Sequence, residues 1–296
     1  MNEQTLTNQL ASLQANVAAL QAYIKGAAPK QRDATKKFGI ISAGQSNIDG
    51  RVPIAELPSD IKLPMTNCHY CSNYSAGHEQ GQFSPALSQA DLSSDRWGFD
   101  LVTYHYLTTL AKQEIYVMKW SEGGTSIDAT GDNVHHWTVD YEALPDIDAS
   151  LLKHFDDLVR QCLSAAKHQI EVRAMLWHQG ESDRRSYSET AADNYYRNLK
   201  TVFAYCRGIV GNVTLPIFCG TVSHTSGQYD ATVDAAIRQI AKEDPNVHCV
   251  DMSGGHLLDD FHFNRDSSVY FGQEIYNAFV DNGLVQGKKV ATKRPW

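Results

Sequence analysis

The sequence predicts an α/β protein: a three-layer αβα sandwich around a central parallel sheet of about five strands, preceded by an N-terminal helix. Three observations predict it. From residue 38 onward, apolar runs of strand length alternate with segments of helix length. The runs are nearly continuous in apolar residues, the pattern of strands covered on both faces. The same region holds no internal repeat and no low-complexity tract, so neither a solenoid nor a long disordered tail competes with this reading.

The first element is the helix. Leu6, Leu10, Leu13, Val17, Leu20 and Ile24 recur at alternating steps of four and three, a heptad pattern. The intervening residues are mostly Gln, Asn, Ser, Thr and Ala, so few salt bridges support the helix and it needs an apolar partner. That partner is the body of the chain or further copies of the helix. The expectation is a coiled-coil segment over residues 1–29 that forms a homo-oligomer, a dimer or trimer, through residues 6–24. Gly26-Ala27-Ala28-Pro29 ends it, residues 30–37 read as a polar linker, and residues 38–296 as the main domain. Strands are predicted at 38–43, 115–120, 172–178, 214–220 and 247–251. Helices are predicted at about 100–112, 149–168, 188–207, 228–243 and 267–281. Residues 66–90, rich in Ser, Gly, Gln and Tyr, read as an irregular excursion or a short hairpin over one end of the sheet.

Composition excludes several classes of function. A net charge of −8 argues against a nucleic-acid partner, which needs a basic face. No run approaches the length of a membrane span, and "MNEQTLTNQL" lacks the basic and apolar regions of a signal peptide. A virion, as in a phage tail, or the cytoplasm is the expected location. The six cysteines are spread thinly and read as reduced and structural. The close pair Cys68 and Cys71 lacks the second pair that a zinc knuckle requires, and the histidines show no ligand spacing. No metal and no cofactor is expected.

Ligands of such sheets bind at the carboxyl ends of the strands. Four loops at that rim carry chemistry: "GQSN" at 44–47, "SEGGTSI" at 121–127, "WHQGESD" at 177–183 and "DDFHFN" at 259–264. Ser46 becomes a nucleophile once a base takes its proton, and His262 is a base three residues from Asp259, a carboxylate able to orient it. Fixed N–H donors stabilise charge on a carbonyl oxygen. The backbone of Ser46, one of Gly123 and Gly124, and the Gln179 amide are the candidates.

These four blocks, in this order, resemble those of the SGNH hydrolase superfamily. The nearer likeness is to its branch containing sialic acid-specific 9-O-acetylesterases and the acetylxylan esterases of carbohydrate esterase family six. The resemblance spans about residues 38–282. It implies a flavodoxin-like fold, Ser46 as nucleophile, His262 as base, Asp259 as its partner, and oxyanion donors at Ser46, at Gly123 or Gly124, and at Gln179. The wider superfamily places asparagine where this chain has Gln179, and glutamine is usual in the nearer branch. The Gly-x-Ser-x-Gly elbow of lipase-type folds is absent, since Ile48 stands two residues after Ser46.

Asp260 is the alternative to Asp259 as orienting carboxylate. Glu181 and Asp183 read as structural, with Glu181 holding the loop that carries Gln179. Arg51 either binds a substrate carboxylate or braces the serine loop. Trp137 either stacks on a sugar ring or lies over the core. The implied activity is removal of O-acetyl groups from a carbohydrate by a serine esterase. A glycan-binding attachment protein without turnover, or a hydrolase of another ester or thioester, is the alternative. A short coiled coil before a glycan-active domain is a build of some phage tail proteins. Deleting residues 1–30 is expected to lower the solution mass from an oligomer to a monomer; an unchanged monomeric mass would remove the heptad reading.

Overall fold

The computed structural model describes residues 32–296. The heptad segment lies outside them. Six strands form the main sheet: β1 (Lys37–Gly44), β2 (Cys68–Ser72), β3 (Ile115–Ser121), β4 (Ile170–His178), β5 (Ile217–Gly220) and β6 (Val247–Val250). Their order is β2-β3-β1-β4-β5-β6, and every neighbouring pair is parallel. Five helices cover the sheet: α1 (Phe99–Thr109), α2 (Leu151–Ala165), α3 (Glu189–Ile209), α4 (Ala231–Glu243) and α5 (Arg265–Asp281). Side chains from α2, α3 and α4 join the core on one face, and those from α1 and α5 join the core on the other. This is the three-layer α/β sandwich that the sequence predicts.

The sheet has one strand more than the sequence predicts. Cys68–Ser72 lies within the stretch read as irregular, yet it pairs with β3 along its whole length. Cysteine, histidine and serine give it no continuous apolar run. The residues divide between the two cores all the same, Cys68 and Tyr70 on one side and Cys71 on the other. His69 stacks on Tyr116 of the neighbouring strand at 4.3 Å. Strand β5 starts at Ile217 rather than at residue 214. Pro216 has no N–H to donate to a ladder, although its carbonyl accepts from Met175 N at 2.9 Å.

Helix starts follow side-chain caps. Ser150 accepts from Lys153 N, Ser188 from Ala191 N, Asp230 from Thr232 N and Val233 N, and Asn264 from Ser267 N. Each cap satisfies backbone donors that the first turn leaves unpaired. These caps also set where the preceding loops end, and three of those loops bear on the rim.

The chain runs from β1 outward to β2 and β3, then crosses back over β1 to β4 and onward to β6. Strand β1 therefore stands at the point where the winding reverses, where crevices form in sheets of this kind. Gly44, its last residue, has φ +139°, and a Cβ there would lie 2.1 Å from the His178 carbonyl oxygen of β4. The same carbonyl accepts from Gln45 N at 2.9 Å, so the two backbones separate only after this contact. Gly44→Ala is expected to lower stability by about 3 kcal/mol, through both the clash and the backbone conformation. Equilibrium denaturation measures it, and a loss below about 0.5 kcal/mol would contradict the close approach.

Candidate active site

The chain leaves β1 and forms a single helical turn, Ser46–Asp49, every residue of which is buried. Its end is held from below. Lys119 of β3 donates to the Ile48 carbonyl at 2.6 Å and to Asp100 of α1 at 2.7 Å, with both charged side chains almost completely buried. Ser46 itself is 4% exposed, and its hydroxyl makes no hydrogen bond among the described residues, yet it is not one of the sealed polar atoms without a partner. The hydroxyl is therefore open to a ligand.

Asn47, the next residue, ties three loops together. Its amide nitrogen donates to Glu181 Oε1 at 2.7 Å, and its oxygen accepts from the backbone N–H of Phe263 at 2.9 Å. The residue after Ser46 thus grips the residue after His262, and the His262 loop is brought beside the serine turn. Within that loop one carboxylate does two jobs. Asp259 Oδ1 accepts from the backbone N–H groups of Phe261 and His262, both at 2.8 Å, and its Oδ2 lies 2.7 Å from His262 Nδ1. Partial burial pushes the Asp259 carboxyl up, but the bonds from the His262 ring and the two N–H groups outweigh it and hold the carboxyl below its ordinary range. With Nδ1 engaged, Nε2 is the nitrogen left to act on a substrate. Asp260 offers its backbone carbonyl to Gly227 N instead, at 2.9 Å. No hydrogen bond joins Ser46 to His262; such contacts are often long before substrate tightens them.

The glycine loop completes the rim and separates its two glycines. A Cβ on Gly123 would lie 3.5 Å from Ser46 Cβ, whereas one on Gly124, at φ +77°, would meet only Asn133. Gly123 is the one placed beside the serine. Neither the Ser46 N–H nor the Gly123 N–H is donated to another group among the described residues.

The third expected donor is placed differently. Gln179 is 1% exposed. Its amide nitrogen donates to the Thr125 carbonyl at 3.1 Å and to Asp183 Oδ2 at 2.6 Å, and its oxygen accepts from Tyr195 Oη at 3.1 Å. A primary amide has two N–H donors, and both are committed to the protein. In this state the group braces the glycine loop rather than facing a substrate. Of the two places expected for Trp137, it takes the one over the core. It is fully buried, packs edge-on against Trp177 at 5.3 Å and donates to Thr125 Oγ1 at 3.1 Å. A ring sealed in the core cannot stack on a sugar. Arg51 stays at the rim: its Nη1 donates to Asp49 Oδ2 and, at 2.7 Å, to the Gly50 carbonyl.

Glu181 and Asp183 are both sealed from solvent, and their environments drive them apart. Burial pushes Glu181 up, but the His178 ring at 2.9 Å, a backbone N–H and the Asn47 amide reverse the shift and hold it below its ordinary range. Asp183 accepts from Ile127 N at 2.8 Å and Asp128 N at 3.0 Å, pinning the end of the glycine loop. Burial dominates there, and its carboxyl is pushed up to about 7. Asn47 and Lys119 carry no role in the sequence reading. The signal for Lys119 was a lone cation in an otherwise apolar strand; Asn47 had none beyond its place after the serine.

A serine turn at the switch point of a parallel sheet, a His–Asp pair on the last loop and a glycine loop between them are thus gathered at one edge of the sheet. The comparisons identify the family. A model of the carbohydrate esterase, sialic acid-specific acetylesterase family matches residues 38–281, and the chain belongs to that family. A probable carbohydrate esterase of Arabidopsis thaliana is 27% identical over 129 residues, 43% of this chain and 48% of that protein. The match thus spans about half the length of this relative. A solved Arabidopsis thaliana structure superposes with a TM-score of 0.64 at 20% identity, covering 83% of this chain and 99% of that one. NanS gives 0.58 at 14% identity over 86% and 98% of the two chains. A carbohydrate acetylesterase from Xanthomonas citri gives 0.55 at 14% identity over 82% and 55%. At these identities the likeness is one of fold.

The raised Asp183 carboxyl has a consequence for stability. The folded protein keeps a proton that the unfolded chain releases, so this group weakens folding as pH rises from about 4 to about 7. In Asp183→Asn that dependence is gone. The stability of the variant relative to wild type is expected to rise across this window, by at most about 1.4 kcal/mol per pH unit, on top of any constant offset. Urea titrations at several pH values measure it, and parallel curves would contradict the shift.

Proposed function

We propose that the protein is a serine esterase that removes O-acetyl groups from a carbohydrate by an acyl-enzyme mechanism. The substrate would be a sialic acid, a xylan or a bacterial surface polysaccharide. The observation that carries the reading is the Asn47 bridge, which sets the Ser46 turn against the loop of the His262–Asp259 pair. Family membership and the carbohydrate esterases among its relatives support the substrate class.

In this reading Ser46 Oγ attacks the acetyl carbonyl while His262 Nε2 takes its proton. Asp259, held ionised, orients the ring and balances its charge. The N–H groups of Ser46 and Gly123 receive the carbonyl oxygen as it gains charge. The sugar oxygen then leaves with the proton from His262, and an acetyl-serine remains. Water, deprotonated by the same imidazole, releases acetate. The heptad segment at residues 6–24 would present the domain in two or three copies, as in a phage tail or surface-attachment protein.

Acetate release from p-nitrophenyl acetate and from a panel of acetylated glycans tests the reading at matched folded protein. Ser46→Ala is expected to lower kcat by about 10³-fold or more, and Asp259→Asn by about 10²-fold or more. A Ser46→Ala variant as active as wild type would overturn the assignment. A wild type that binds glycans and hydrolyses no ester would favour the attachment protein.

A further inference from the structure

The commitment of Gln179 leaves the oxyanion site with backbone donors only, and Arg51 stands next to them. Its Nη1 is anchored to Asp49 and Gly50, while Nη2 and Nε have no partner among the described residues. The side chain is 15% exposed, so the guanidinium is neither sealed in the core nor free in solvent. Its Nη2 presses on Gly123. A Cβ on that glycine would lie 2.0 Å from Nη2 and 3.5 Å from Ser46 Cβ. The cation and the nucleophile therefore both border the space that a Gly123 side chain would fill, and any side chain there would displace the guanidinium. The anchor is rigid. Asp49 is 2% exposed, and its second oxygen accepts from Tyr74 Oη at 2.7 Å and Ser121 Oγ at 2.9 Å.

We propose that Arg51 is a catalytic residue, whose Nη2 donates to the acetyl oxygen as it becomes an oxyanion, in the place expected of the Gln179 amide. The inference rests on the esterase reading. When Ser46 Oγ bonds to the carbonyl carbon, the π pair moves onto oxygen and the serine proton goes to His262. Arg51 stays protonated throughout and supplies a charge-assisted hydrogen bond. Such a donor stabilises the transition state more than the neutral ester, so its removal acts on kcat.

The test uses p-nitrophenyl acetate, which is small and has no carboxylate, with wild type, Arg51→Met and the double variant Asp49→Asn/Arg51→Met. The double variant removes the carboxylate that the single one leaves unpaired. The expected result is a fall in kcat of about 10²-fold in both variants, with KM little changed. Recovery of kcat in the double variant would overturn the proposal, because Arg51 would then act only by neutralising Asp49. Full kcat on p-nitrophenyl acetate, with loss confined to acetylated sugars that bear a carboxylate, would also overturn it and make Arg51 a substrate clamp. A wild type inert on every acetyl ester would overturn the esterase reading and this assignment together.

Discussion

Asn47 donates to Glu181 from the loop after β4 and accepts from Phe263 in the loop before α5, partners 134 and 216 residues away in the chain. A buried side-chain amide has few ways to satisfy both ends, and leaving either unpaired costs about 1–3 kcal/mol. That constraint fixes the serine turn, the His262 loop and the Gln-Gly-Glu loop relative to one another. Separate placement of the same loops would leave Ser46 and His262 free to drift, and in the mechanism we propose a drift of about an ångström would slow the reaction.

Buried carboxylates do much of the remaining positioning. Asp49 holds Arg51, Asp100 holds Lys119, Glu181 holds Asn47 and His178, and Asp183 holds the glycine loop. Burying a charge is costly unless it is paired and hydrogen-bonded, and each of these groups accepts from at least one protein donor. The opposed shifts of Glu181 and Asp183 would suggest an acid and a base if they faced a cleft. Both are cut off from solvent, so here the shifts report packing and the rigidity of the loops.

Trp137 and Gln179 both turn into the protein rather than toward the rim. Gln179 directly follows β4 and Trp137 lies in the long loop after β3, regions where functional residues gather but also those that close the core over the sheet. Trp137 closes the core under the glycine loop, and Gln179 is held by the carbonyl of Thr125 in that same loop. Which role a loop residue takes depends on the distant groups that meet it in the fold, and composition and spacing do not report those.

The sequence by itself determined the alternation of strands and helices, the four loop motifs and the placing of a carboxylate beside His262 on one short loop. These depend on short spacings: apolar runs of strand length, and a carboxylate two or three residues before its imidazole. The tertiary structure alone decided the sixth strand, the nearness of Gly123 rather than Gly124 to Ser46, the inward turn of Gln179 and Trp137, and the meeting of Asn47 with Phe263. Each of these is a contact between segments far apart in the chain. Such contacts exist only once the sheet order has set β1 between β3 and β4 and brought their carboxyl ends to one edge.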